Sequence, residues 1–169
     1  VQLHRTSKDG LFEADNTLNA IHIEGLEPAT EYEYRIVSKR MLSFEPYKVT
    51  FGEEIASSWY TFRTFDPKAT EVTFVVANDI HDDAQKCTDL LDKMPLDEAE
   101  MVFYNGDIMS HYSREGQPYT SFIDVSVEKF ASEKPFAVVR GNHETRGHLA
   151  REYDNYIYNT REGRYYDVY

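Results

Sequence analysis

Phe74-Val75-Val76-Ala77-Asn78-Asp79-Ile80-His81 decides the fold, because an apolar run here delivers an acid and an imidazole two positions apart. A short run of this kind, bounded by polar residues, predicts a buried strand. Side chains at i and i+2 of an extended chain project to one side, so Asp79 and His81 are expected to face one cation just past the strand's carboxyl end. Two similar events follow. Residues 101–104 form a short apolar run that breaks into Asn105-Gly106-Asp107, and 136–139 form another that breaks into Gly141-Asn142-His143-Glu144. Three strands each end in oxygen and nitrogen ligands.

Working outward, residues 72–77 are nearly continuous in apolar side chains, the pattern of a strand covered on both faces. Residues 82–94 follow with helical spacing. The next strand is 101–104, and 121–134 then places Phe122, Val125 and Phe130 near one helical face before Pro135 stops it. Strand, helix, strand, helix, strand predicts a parallel sheet with right-handed crossovers. Ligands of such sheets sit at the carboxyl ends of the strands, where all three motifs fall.

Towards the amino terminus the period changes. From Val1 to about Phe65, residues 18–23, 32–37 and 59–64 alternate apolar and polar side chains, which predicts half-buried antiparallel strands. Asp66-Pro67-Lys68-Ala69-Thr70 is polar and holds a proline without a backbone donor, so it marks the boundary. The expected organisation is an all-β unit over 1–66 and an α/β unit over 71–169. An independent small β-meander is the competing reading of the first unit.

A net charge of −12, from 18 basic and 30 acidic residues, argues against a nucleic-acid surface, because no segment clusters Lys and Arg. The single cysteine, Cys87, excludes an intrachain disulfide and a cysteine-based zinc cluster. It falls on a helical pattern with Leu90, Leu91 and Met94 and is expected to be a packed thiol. No apolar stretch is long enough to span a bilayer, and the first residues lack the regions of a signal peptide. The absence of G-x-G-x-x-G and G-x-x-x-x-G-K argues against a nucleotide-binding doubly wound domain. Both ends read as cut, and 164–169 reads as a strand beginning.

D-x-H at 79–81, G-D at 106–107 and G-N-H-E at 141–144, each after an apolar strand, resemble the calcineurin-like metallophosphoesterase family. The steps of 28 residues (79 to 107) and 35 residues (107 to 142) keep the three motifs in register. The resemblance runs from about Glu71 to the end and implies the amino-terminal part of that α/β domain. The family's two later histidine motifs would fall after Tyr169. Ahead of it, Gly25-Leu26-Glu27-Pro28-Ala29-Thr30-Glu31-Tyr32 resembles the corner before a late strand of a fibronectin type III-like sandwich, with Leu26 plugging the core and Tyr32 folding back on the turn. A complete sandwich needs about 100 residues, so 1–66 would be a partial one, in an arrangement similar to that of purple acid phosphatases.

The resemblance implies metal-dependent hydrolysis of phosphate esters at a site holding two divalent ions, Mn, Zn or Fe(II). Asp79 and His81 would hold the first, Asp107 would bridge both, and Asn142 would offer its amide oxygen to the second. Two ions about 3.5 to 4 Å apart supply a hydroxide near neutral pH and positive charge for the transition state. His143 would be the catalytic residue, contacting the phosphoryl oxygen or protonating the leaving group. Arg146, His111 and His148 lie near the motifs as candidate substrate contacts, with surface duty as the competing reading. Glu144 reads as a supporting or capping acid rather than a ligand. Purple acid phosphatases carry G-D-x-x-Y, whose tyrosine ligates ferric iron, whereas Ser110 stands at that position here. The competing function is a metal-free phosphoesterase-like scaffold or binding module. A periplasmic or secreted setting is favoured. The 169-residue chain alone is expected to bind metal weakly, show negligible activity and self-associate.

Overall fold

The computed structural model describes residues 6–8, 11–13, 19–45 and 47–157, in two compact units, Val1–Phe65 and Asp66–Tyr169. The first unit contains β1 (Thr6–Lys8), β2 (Leu11–Glu13), β3 (Glu31–Tyr34), β4 (Val37–Glu45), β5 (Lys48–Ala56) and β6 (Tyr60–Arg63). They form three antiparallel pairs, β1 with β2, β3 with β6 and β4 with β5. Aromatic alternation sets the β3–β6 register: Tyr32 lies opposite Phe62 and Tyr34 opposite Tyr60, with ring centroids 5.6 and 5.5 Å apart. Each such cross-strand pair contributes about 0.2–1 kcal/mol.

Three expectations for this unit need correction. Residues 19–23 form no strand and are exposed, and Leu18 lies outside the described residues. The stretch 32–37 is divided, because the Ile36 N–H turns to the Ser57 hydroxyl at 2.9 Å and separates β3 from β4. Leu26 is 36% exposed, so within this unit it plugs no core, although the Tyr32 hydroxyl does fold back to accept from the Glu27 N–H at 2.8 Å.

The second unit runs β7 (Phe74–Ala77), helix α1 (Ala84–Leu91), β8 (Met101–Asn105), a second helical stretch, and β9 (Phe136–Val139), followed by a 3₁₀ helix over Ala150–Asn155. The second stretch is π-helical over Tyr119–Ile123, α-helical over Asp124–Ser126 and π-helical again over Val127–Ala131. Helix α1 begins two residues later than its apolar pattern, because Asp83 is the N-cap and accepts from the Lys86 N–H at 2.9 Å. No helix among the described residues is long and apolar enough to cross a membrane.

Strands β7, β8 and β9 are parallel and adjacent in that order, as the alternation of strand and helix predicts. Val75, Ala77, Val102, Tyr104 and Val138 point into a core closed by Cys87 and Leu91 of α1 and by Phe122 and Phe130. At its centre the Tyr104 hydroxyl meets the Ser126 hydroxyl at 2.6 Å, so the one polar atom of a large buried ring is satisfied. Full burial of a side chain of this size contributes about 1.5–3 kcal/mol.

Within this chain strand β7 is covered on one face only. Phe74 and Val76 are 52% and 46% exposed while their neighbours are buried. Successive strands step across the sheet in one direction, and crossovers of the same hand taken in one direction fall on the same side. Both helical crossovers therefore pack on the Val75 face.

Candidate metal centre

The loops after the three strands are built against one another. Beyond Ala77 the backbone does not remain extended: Asp79, His81 and Asp82 have φ of 56°, 59° and 64°, and Asp107 has 55°. Left-handed backbone is uncommon outside glycine, with Asp, Asn and His the side chains that best tolerate it. The loop is held there by its neighbour. Asp79 N–H donates to Gly106 O at 3.3 Å, His81 N–H to Asp107 O at 3.1 Å and Asp82 N–H to Ile108 O at 2.9 Å. Ile80, fully buried, pins the middle of the loop into the core.

Extended alternation therefore does not explain why Asp79 and His81 approach. The paired left-handed turns do so instead, leaving Asp79 Oδ1 3.4 Å from His81 Nε2. One ligating atom from each of His81, Asp107 and His143 lies within 4.8 Å of the others, and all three residues are half-buried. The His81 and His143 rings meet edge to face, 4.5 Å between centroids. His143, expected as the catalytic residue beside Asn142, lies within reach of the same point as His81 and Asp107.

Close packing of glycines makes this approach possible. A Cβ on Gly106 would stand 2.8 Å from the Gly141 Cα, and one on Gly141 would run into the Asp107 carboxylate and N–H. The backbone N–H of His143 donates to Asp107 Oδ1 at 3.0 Å. Asn142 sits between Asp107 and Arg146: with its NH2 toward the acid it donates to Oδ2 at 3.1 Å and accepts from Arg146 Nη2 at 2.9 Å. The Nδ1 atom of His143 faces both the Ser110 carbonyl at 3.0 Å and Arg146 Nη1 at 3.2 Å.

Two further acids hold the loops. Glu144 is fully buried, and its carboxylate accepts from the N–H groups of Asp107 at 3.0 Å, Met109 at 2.8 Å and Gly141 at 2.8 Å. It is fully engaged with backbone and turned away from ligand duty, in line with the reading of it as a supporting acid. Asp82 was read only as the start of a helix. Its carboxylate accepts from Ser121 Oγ at 2.6 Å, Gln117 Nε2 at 2.9 Å and the Ser110 N–H at 2.8 Å. Burial disfavours its charge, but these bonds outweigh it and hold the carboxyl below its ordinary value of 3.8. The adjacent acids Asp82-Asp83 were the available signal, since a single helix needs only one N-cap.

The structure gathers Asp79, His81, Asp107, Asn142 and His143, with Arg146 against the last two. His111 and His148 are exposed and stand outside the group of His81, Asp107 and His143. Ser110 donates from Oγ to the His81 carbonyl at 3.2 Å, while the Tyr112 ring is buried against Tyr153 and Tyr156, at 6.5 and 6.0 Å between centroids.

Residues 72–169 match the sequence profile of the calcineurin-like phosphoesterases. Among solved structures, this chain is similar to a purple acid phosphatase, PPD1, isolated from yellow lupin (Lupinus luteus) seeds. The likeness has 20% identity and a TM-score of 0.49 over 72% of this chain, which spans 22% of that one. No curated protein matches the chain.

Proposed function

Because the chain belongs to the calcineurin-like phosphoesterase family, we propose that it serves metal-dependent hydrolysis of phosphate esters at the ends of β7, β8 and β9. The observation that carries this reading is the convergence of His81, Asp107 and His143 within 4.8 Å. Imidazole nitrogen and carboxylate oxygen suit Mn, Zn or Fe(II). Asp79 and His81 would hold one ion, Asp107 would lie between two, and Asn142 would give its amide oxygen to the second. When bound, the ions supply positive charge for phosphoryl oxygens and a hydroxide nucleophile near neutral pH.

The chain's own residues prepare the rest. Three N–H bonds to Glu144 hold the Asp107 and Asn142 loops at a constant separation. With its Nδ1 protonated, His143 donates to the Ser110 carbonyl 3.0 Å away, which orients the ring. When protonated, that ring presents its Nε2–H to a phosphoryl or leaving-group oxygen.

The test compares the full-length protein that carries this chain, as wild type and as Asp107→Asn, for Zn and Mn content and for turnover of p-nitrophenyl phosphate and bis(p-nitrophenyl) phosphate. The variant should lose both metal binding and hydrolysis with its circular dichroism unchanged. Metal content and turnover equal to wild type would reject the assignment, and a wild type that binds no metal would favour a scaffold. The substrate pair separates mono- from diesterase.

For residues 1–66 we infer a partial fibronectin type III-like sandwich. Its support is the Tyr32 hydroxyl bonded to the Glu27 N–H five residues upstream, as in a tyrosine corner. Tyr32→Phe should lower the stability of this unit by about 1 kcal/mol; an unchanged urea midpoint would count against the corner.

A further inference from the structure

Asn142 can direct only one face of its amide at Asp107, and the two choices have opposite consequences for Arg146. With the NH2 toward Asp107 Oδ2, the amide oxygen faces Arg146 Nη2, and every donor meets an acceptor. Turned over, the oxygen faces the Asp107 carboxylate, and the NH2 faces the guanidinium. Two acceptors then confront each other on one side and two donors on the other. A cation between the oxygens reverses the first of these repulsions, but nothing relieves the second while Arg146 stays in place.

Resting on the metal-site reading above, we propose that Arg146 and a divalent cation compete for the Asn142 amide oxygen. Cation binding turns the amide over and releases the guanidinium from Asn142. Arg146 is in this account a positioning residue whose hydrogen bond must break as the site fills. Release has a second effect, at His143. Its Nδ1 faces both the Ser110 carbonyl and Arg146 Nη1, and a ring nitrogen serves only one of an acceptor and a donor at a time. Departure of Arg146 leaves Nδ1 free to donate to Ser110. The side chains of Asn142 and Arg146 are both exposed, so the motion needs no repacking of the core. Because coupling is reciprocal, whatever draws Arg146 away from Asn142 also strengthens cation binding.

The experiment is a double-mutant cycle on Zn²⁺ affinity in the full-length protein that carries this chain, read by competition with a chromophoric chelator, over wild type, Arg146→Ala, Asn142→Ala and the double variant. Arg146→Ala should raise Zn²⁺ affinity about three- to tenfold, the equivalent of one hydrogen bond that no longer has to break. With Asn142→Ala in the background the same change should give a clearly smaller factor. Equal factors in both backgrounds would mean plain repulsion between two cations and overturn the competition while leaving the metal site standing. No gain, or a loss, with Arg146→Ala would overturn it too. Wild type that binds no Zn²⁺ would overturn both readings together. The second readout is the Asn142 side-chain NH2 signal in ¹⁵N NMR, assigned by its loss in Asn142→Ala. It should move on addition of Zn²⁺, and a signal unmoved at saturation would show that the amide does not turn.

Discussion

The N–H of Asp107 donates to the buried carboxylate of Glu144 at 3.0 Å, so the acid that closes the third motif holds the acid of the second. The same carboxylate takes the N–H groups of Met109 and Gly141, which joins the β8 and β9 loops through one side chain. Truncation leaves buried donors without an acceptor, each costing about 1–3 kcal/mol. Glu144→Ala should therefore lower stability by at least about 3 kcal/mol, and Glu144→Gln, which keeps one acceptor, by less. Urea denaturation checks this, and a Glu144→Ala midpoint equal to wild type would contradict it.

Gly141→Ala should act on the metal site and on the fold together. Its Cβ would run into the Asp107 carboxylate and backbone N–H and stand 2.9 Å from Glu144 Oε2. Disturbing groups that orient a ligand costs about 10- to 100-fold in metal affinity. Calorimetric titration with Zn²⁺ should show a loss of at least that range, and the urea midpoint should fall; a midpoint and an affinity equal to wild type would contradict the close packing.

Iron loading should give no visible tyrosinate-to-iron band. Ser110 stands three residues after Asp107, where a G-D-x-x-Y motif would have its tyrosine, and Tyr112 is committed to a buried aromatic cluster with Tyr153 and Tyr156. An absorption spectrum of the iron-loaded protein decides the matter, and a strong purple band would refute the reading.

Cys87 should be silent to thiol reagents until the second unit opens. It is fully buried beneath the sheet, and burial pushes its thiol pKa up, so the reactive thiolate is disfavoured as well as inaccessible. Labelling in native buffer should be slower than in 6 M urea by at least about 10³-fold, following the rare open state. Rates within a factor of ten would show that the helix face is not closed.

The parallel sheet was legible because Val75, Val102 and Val138 lie in apolar runs punctuated by Asn, Gly and Asp, a pattern that depends on local sequence alone. The three motifs that supply His81, Asp107 and His143 were legible for the same reason, since each follows its strand directly. What escaped depends on contacts far along the chain. Asp82 receives bonds from Gln117 and Ser121, 35 and 39 residues away, and the doubled acid Asp82-Asp83 hints at a second role without saying which partners it has. The β4–β5 hairpin escaped because Val37–Glu45 and Lys48–Ala56 mix charged and apolar residues without a clean period and shift register at Met41.

Left-handed backbone at Asp79, His81, Asp82 and Asp107 narrows the usable alphabet at these positions before any chemistry is asked of them. Valine, isoleucine and threonine are excluded by shape, and even glutamate, with the same charge as aspartate, lacks the short polar arm that eases this conformation. Selection acting here would sift side chains twice, once for the turn and once for the ligand. A restricted repertoire at Asp79 or Asp107 would thus record backbone geometry as much as catalysis. Swapping metal preference by ligand exchange would work more readily at Asn142, whose backbone imposes no such filter.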